Sequence, residues 1–113
     1  MAKADRLERL DTRRIDMEAD YHAALIEALK VTAAGKWGLF AHNSDRLSAK
    51  AVAPVIHHLT ELGDAIDAAR ETLGMEPFAL HHEFLAARGP VSPQAVGEPK
   101  QAQAWLAWLA ATP

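Results

Sequence analysis

Six histidines in a chain of 113 residues are the first side chains to weigh for chemistry: His22, His42, and the adjacent pairs His57–His58 and His81–His82. Imidazole is the commonest metal-ligating side chain and titrates near neutral pH. The spacing limits what these six can do. Neighbouring residues on a helix point about 100° apart, so neither adjacent pair can chelate one ion as an i, i+4 pair does. Glu18–His22 and His57–Glu61 are four apart and His58–Glu61 is three apart. Each offers two ligands, short of the about four that a closed structural site takes. HExxH is absent, and so is the Glu-x-x-His of carboxylate-bridged di-iron bundles. No metal site and no cofactor is assigned.

On a helical wheel His57 falls with Glu61, Asp64 and Glu71, opposite Leu59, Leu62 and Ile66. That places it in solvent, while His58 flanks the apolar face. His81 falls between Phe78 and Leu85 and His82 lies beside it, which predicts a half-buried histidine held by a carboxylate or a carbonyl.

A second candidate is the stretch GKWGLFAHNSD, Gly35 to Asp45. Trp37, Phe40, His42 and Asn43 would line a small pocket with a polar edge. With His81 and His82 they make up the candidate ligand-binding residues. A competing reading explains nearly all of the stretch and is preferred. Gly35 and Gly38 take positive φ without strain, so the chain can double back. Trp37, Leu39 and Phe40 then plug the core, and Asn43, Ser44 and Asp45 are good N-cap types for the next helix.

The inventory for catalysis is thin. With no cysteine in the chain, disulfides, thiolate metal sites and cysteine nucleophiles are excluded. Gly35-x-x-Gly38 is too short to cradle a phosphate. Ser44, Ser48 and Ser92 sit outside any nucleophile-elbow pattern, and Ser44–Asp45 near His42 is sequence adjacency rather than triad geometry. No catalytic residue is assigned.

The elements that would position these residues are helical. Residues 5–34 contain neither Gly nor Pro and are rich in Ala, Leu, Arg and Glu, all good helix formers. Leu7, Leu10, Met17, Tyr21, Ala24, Ala28 and Val31 recur at steps of three and four, with Arg14 in the one polar slot and Leu25 and Leu29 widening the stripe. Thirty residues span about 45 Å, more than a compact domain of this size is wide. The first helix is therefore expected to overhang its domain and to seek a partner, most simply the same helix of another chain.

Residues 35–45 form the aromatic corner. A second helix is expected over 46–73, bent near Pro54, with Val52, Val55, Ile56, Leu59, Leu62, Ile66, Ala69 and Leu73 as its apolar face. A third runs over 77–88, and 89–99 is a Pro/Gly connector. A last helix over 100–111 carries Trp105 and Trp108, and docking on the protein's own core or a neighbour suits it better than a membrane surface, because Lys100 is its one basic residue. No segment alternates like a strand.

Net charge is −3, from 12 basic and 15 acidic residues spread along the chain, so no basic footprint for nucleic acid stands out. No run approaches ~18 consecutive apolar residues, and MAKADRLERLDTRR lacks the apolar core of a secretory signal. The default expectation is a cytoplasmic protein away from membranes.

GKWGLFAHN, LGMEPFALHHEFLAARGP and GEPKQAQAWL together resemble small helical proteins of bacterial origin that carry no assigned function. The resemblance covers most of the chain. It implies a bacterial source and a helical fold, and it transfers no catalytic residue.

The sequence thus predicts one all-α domain over 1–113, a three- to four-helix bundle with a long N-terminal helix, completed by dimerisation. Plentiful apolar stripes and missing chemical constellations favour a non-enzymatic interaction module that forms a homodimer through the first helix and binds an unidentified protein. A metal- or small-ligand-binding protein is the rival, and an acid/base enzyme comes third.

Overall fold

A computed structural model of the chain describes residues 2–35, 39, 46–87 and 98–111. The described residues are all helical apart from turns and a short connector: α1 (Ala2–Ala33), α2 (Arg46–Thr72), α3 (Ala79–Ala87) and α4 (Glu98–Ala111). The all-α prediction holds, and no strand occurs among the described residues.

Two of the helix ends follow directly from glycine. Gly35 has φ 80° and donates its amide to the Thr32 carbonyl at 3.0 Å. Gly74 has φ 72°, and two bonds close α2 there: Gly74 N–H to the Glu71 carbonyl at 3.1 Å and Met75 N–H to the Arg70 carbonyl at 2.8 Å. That pairing is a Schellman motif, which needs the left-handed conformation glycine adopts freely. α2 runs through Pro54 as one helix, although proline there lacks the amide that an interior helical position donates. α3 starts at Ala79, two residues after Pro77, because the connector before it is pinned from outside, as described below.

α1 and α2 lie antiparallel. Leu10 and Met17 share a groove with Ala68, Ala69 and Thr72, and Val31 shares one with Pro54 and Val55. α1 also packs along α4, and the Phe84 and Trp105 rings meet edge-to-face at 6.4 Å, tying α3 to α4. The core joins Tyr21, Leu25, Ala28 and Leu29 of α1 to Val52, Leu59 and Ile66 of α2, with Phe84, Ala102 and Leu109 from the last two helices. Leu39, from the predicted aromatic corner, is fully buried in the same cluster.

The expected stripe of α1 is sealed in part: Tyr21, Leu25, Ala28 and Leu29 are buried, and Thr32 joins them. Leu10, Met17, Ala24 and Val31 are half-buried. Thr32 enters the core because its hydroxyl donates to the Ala28 carbonyl at 3.0 Å, which satisfies it within its own helix. A helix of 32 residues is about 48 Å long, and the molecule measures 55 × 29 × 20 Å. The opening turns of α1 are exposed from residue 4 to residue 9, with Leu7 and Ile15 among the exposed large hydrophobics.

Candidate functional site

Of the six predicted ligand-binding residues, Trp37, Phe40, His42 and Asn43 lie outside the described residues. The structure places His81 and His82 on α3 and brings three residues to them that sequence reasoning did not assign to a site: Tyr21 from α1, and Gly63 and Asp67 from α2.

His81 is fully buried, not half-buried as its wheel position suggested, because α2 offers a glycine beneath it. A Cβ built at Gly63 would collide with three atoms of the His81 ring. The imidazole lies flat on bare helix backbone, where any other residue would hold it away. The signal was present in the sequence: a glycine in mid-helix sacrifices about 1 kcal/mol of helix propensity relative to alanine, and close packing is a common reason to keep one.

The Tyr21 hydroxyl and His81 Nδ1 are 2.8 Å apart and buried. Their rings meet edge-to-face at 5.3 Å, and Phe78 meets the other flank of Tyr21 at the same distance. His81 Nε2 is buried without a hydrogen-bond partner among the described residues. The nearest carboxylate, Asp64, stands 3.8 Å away and is exposed. A carboxylate on that side favours the proton on Nε2, which leaves Nδ1 to accept from the tyrosine hydroxyl. Burial, opposed by Asp67 and Asp64 and reinforced by His82, holds the His81 pKa below the usual histidine range. Burial, with Asp67 adding to it, pushes Tyr21 well above the usual phenol range. Both groups are therefore neutral near pH 7, and they form a neutral pair inside a greasy interface.

Asp67 does a second job next door. Its Oδ1 accepts the Phe78 amide at 2.8 Å and its Oδ2 lies 2.6 Å from His82 Nε2. One carboxylate thus caps the start of α3 and grips a side chain from its first turn, where the helix dipole favours negative charge. Arg70, one turn on, reaches Glu18 of α1 at 2.7 Å and lies 5.9 Å over the Phe78 ring. Glu18 also holds Arg14 at 2.9 Å. His57 makes only an exposed contact with Glu61, at 3.1 Å.

This cluster resembles a Tyr–His–Asp relay in composition, yet its geometry is that of a clasp. The imidazole is sealed, and none of the three described grooves is lined by His81 or Tyr21. Among the described residues no group of three or more His, Asp or Glu side chains could hold a metal ion.

The accessible feature lies elsewhere, along α1 and α2. Two open hollows run end to end there. One, of about 300 Å³, is lined by Leu10, Arg13, Met17, Ala65, Ala68, Ala69 and Thr72. The other, of about 440 Å³, is lined by Ala24, Glu27, Ala28, Val31, Pro54, Val55 and His58. Leu10, Met17, Ala24 and Val31 are seven residues apart, so they form one nearly straight line down α1. On α2 the contacts to α3 come from Gly63 and Asp67. The groove uses the other side of that helix, through Val55, His58, Ala65 and Ala69. Among the described residues, none from α3 or α4 lines either hollow. Among the described residues, the α1–α2 hairpin therefore has one side covered by α3 and α4 and one side open.

No family model, curated protein or solved structure matches this chain. The functional reading rests on the geometry.

Proposed function

We propose that this chain is a non-enzymatic helical interaction module that works as a homodimer through the open side of α1 and α2, and that the assembled face serves a protein partner. A bacterial, cytoplasmic setting suits the reading. The observation that supports it is the groove: a line of half-buried apolar side chains about 32 Å long from Leu10 to Val31, walled on the α2 side by Ala65, Ala68, Ala69 and Thr72 at one end and by Pro54, Val55 and His58 at the other, with no lining residue from α3 or α4 among the described residues. Contiguous exposed apolar surface is a recognised mark of an interaction face. Among the described residues no helix is long and apolar enough to cross a membrane.

Light scattering or sedimentation equilibrium on untagged protein, across the micromolar range, tests it. The expected mass is twice that of the chain. Ala65→Glu, at an exposed position on the groove wall, is expected to give a folded monomer. A wild-type protein that stays monomeric at the highest concentrations would remove the reading.

A further inference from the structure

We propose that the two copies dock antiparallel, α1 against α1, with Arg13 of each chain facing Asp20 of the other. The inference deepens the homodimer reading and rests on it.

The edge of α1 that borders the groove is divided by charge. Its first half presents Arg6 and Arg13, and its second half presents Asp16, Asp20 and Glu27, all exposed, while Arg9 lines a separate hollow with Asp5 and Glu8. Arg13 lines one hollow and Glu27 the other. In a two-fold dimer each patch meets itself under the symmetry operator. A two-fold axis perpendicular to α1 reverses the helix direction, so it lays the basic half of each copy on the acidic half of the other. Parallel docking would set like charges opposite each other, which is unfavourable at an interface.

The α2 wall of the groove sharpens the choice. Among the described residues it contributes no Lys, Arg, Asp or Glu to either hollow. Outside the hollows that side of α2 carries one exposed charge of each sign, Lys50 and Glu61, so an arrangement that laid α1 over α2 would answer only part of each α1 half. The small side chains of Ala65, Ala68 and Thr72 instead permit close approach of the facing backbone.

The register follows from the sequence numbers. Once Arg13 faces Asp20, antiparallel pairing also sets Arg6 level with Glu27, which within its own chain pairs with Lys30 at 3.4 Å. The axis passes between Asp16 and Met17, so the two Asp16 residues meet near it, each with Arg13 of the second copy within about one turn to offset the like charges. A face about 32 Å long and two helices, about 20 Å, wide covers roughly 640 Å², at the low end of the ~600–1,000 Å² per partner of a standard specific interface.

Charge reversal tests the register separately from the dimer. Arg13→Asp and Asp20→Arg are each expected to weaken self-association about tenfold, since each change strikes two symmetry-related pairs. The double variant R13D/D20R is expected to restore it, because both pairs are then inverted together. Circular dichroism melts check that each variant folds. A second measurement uses the absence of native cysteine. Arg13→Cys mixed with Asp20→Cys is expected to form a mixed disulfide readily. Each variant alone is expected to cross-link poorly, because seven residues of helix, about 10 Å, separate the like positions, beyond the ~7 Å a disulfide spans. If the wild type is a dimer but the double variant is not rescued, or the homotypic cross-links dominate, the antiparallel register is wrong while the dimer stands. If the wild type is a monomer, both fall.

Discussion

Replacing Gly63 with alanine should destabilise this protein, against the rule for helix interiors. On propensity alone the change gains about 1 kcal/mol. The new Cβ, however, would land on the His81 ring. That ring cannot swing aside cheaply, because it is fully buried and fixed by the Tyr21 hydroxyl at 2.8 Å. Forcing extra volume into a packed site costs about 1–3 kcal/mol, and displacing the imidazole breaks a buried hydrogen bond that contributes about 1 kcal/mol. The net expectation is a loss of roughly 1–3 kcal/mol. The decisive assay is a double-mutant cycle in urea at fixed protein concentration. In a His81→Ala background the ring is gone, and Gly63→Ala should change sign, becoming stabilising by up to about 1 kcal/mol. A Gly63→Ala variant more stable than wild type, or one with the same effect in both backgrounds, would show that the glycine is not there for the histidine.

Three further outcomes follow from the same cluster. Tyr21→Phe keeps the ring packing but leaves His81 Nδ1 buried without its partner, and should cost about 1–2 kcal/mol in urea unfolding. Asp67→Ala removes both the cap on Phe78 N–H and the grip on His82; hydrogen exchange should accelerate across α3 while the amides in the middle of α1 keep their protection. Stability should fall on mild acidification. His81 is held below its unfolded pKa by burial, so the unfolded chain takes up a proton first as pH drops past about 6.5. The contribution is complete above that value and is lost as pH falls toward the depressed folded pKa, at no more than about 1.4 kcal/mol per pH unit for one group. His81→Ala should flatten that part of the profile, and an unchanged slope would mean that His81 titrates alike in both states.

The helices were legible in the sequence because their signals are local. A Gly- and Pro-free run of Ala, Leu, Arg and Glu announces α1 before any tertiary contact is known, and Gly35 and Gly74 mark ends with their own backbone. What was not legible depends on which side of a helix meets which neighbour. Within the expected stripe of α1, Tyr21, Leu25, Ala28 and Leu29 are sealed, whereas Leu10, Met17, Ala24 and Val31 line an open groove, and Thr32 is sealed though polar. Hydropathy does not rank positions within one stripe. His81 shows the same limit from the other side. Its wheel position gives a boundary residue, and only Gly63, eighteen positions earlier on another helix, turns it into a core one. Tyr21 reads only as a member of the apolar stripe of α1, and Asp67 as an ordinary surface carboxylate, until the fold sets them beside α3.

The two sides of the α1–α2 hairpin are held by different physics, and the difference bears on what the open side is for. α3 has nine residues, too few to anchor itself by apolar area alone, since its buried residues are His81 and Phe84. Directional contacts do the rest: the Tyr21 hydroxyl, the Asp67 carboxylate and the bare backbone at Gly63. Such contacts admit one placement, so they fix where α3 goes. The opposite side has no comparable fasteners among its lining residues. It offers a line of half-buried aliphatic groups, small side chains, and charge confined to the α1 edge. On the homodimer reading proposed above, such a face would bind through area and read its partner through the order of charges along one helix. The polar contacts on the first side then serve folding, and the apolar second side is the one offered for association.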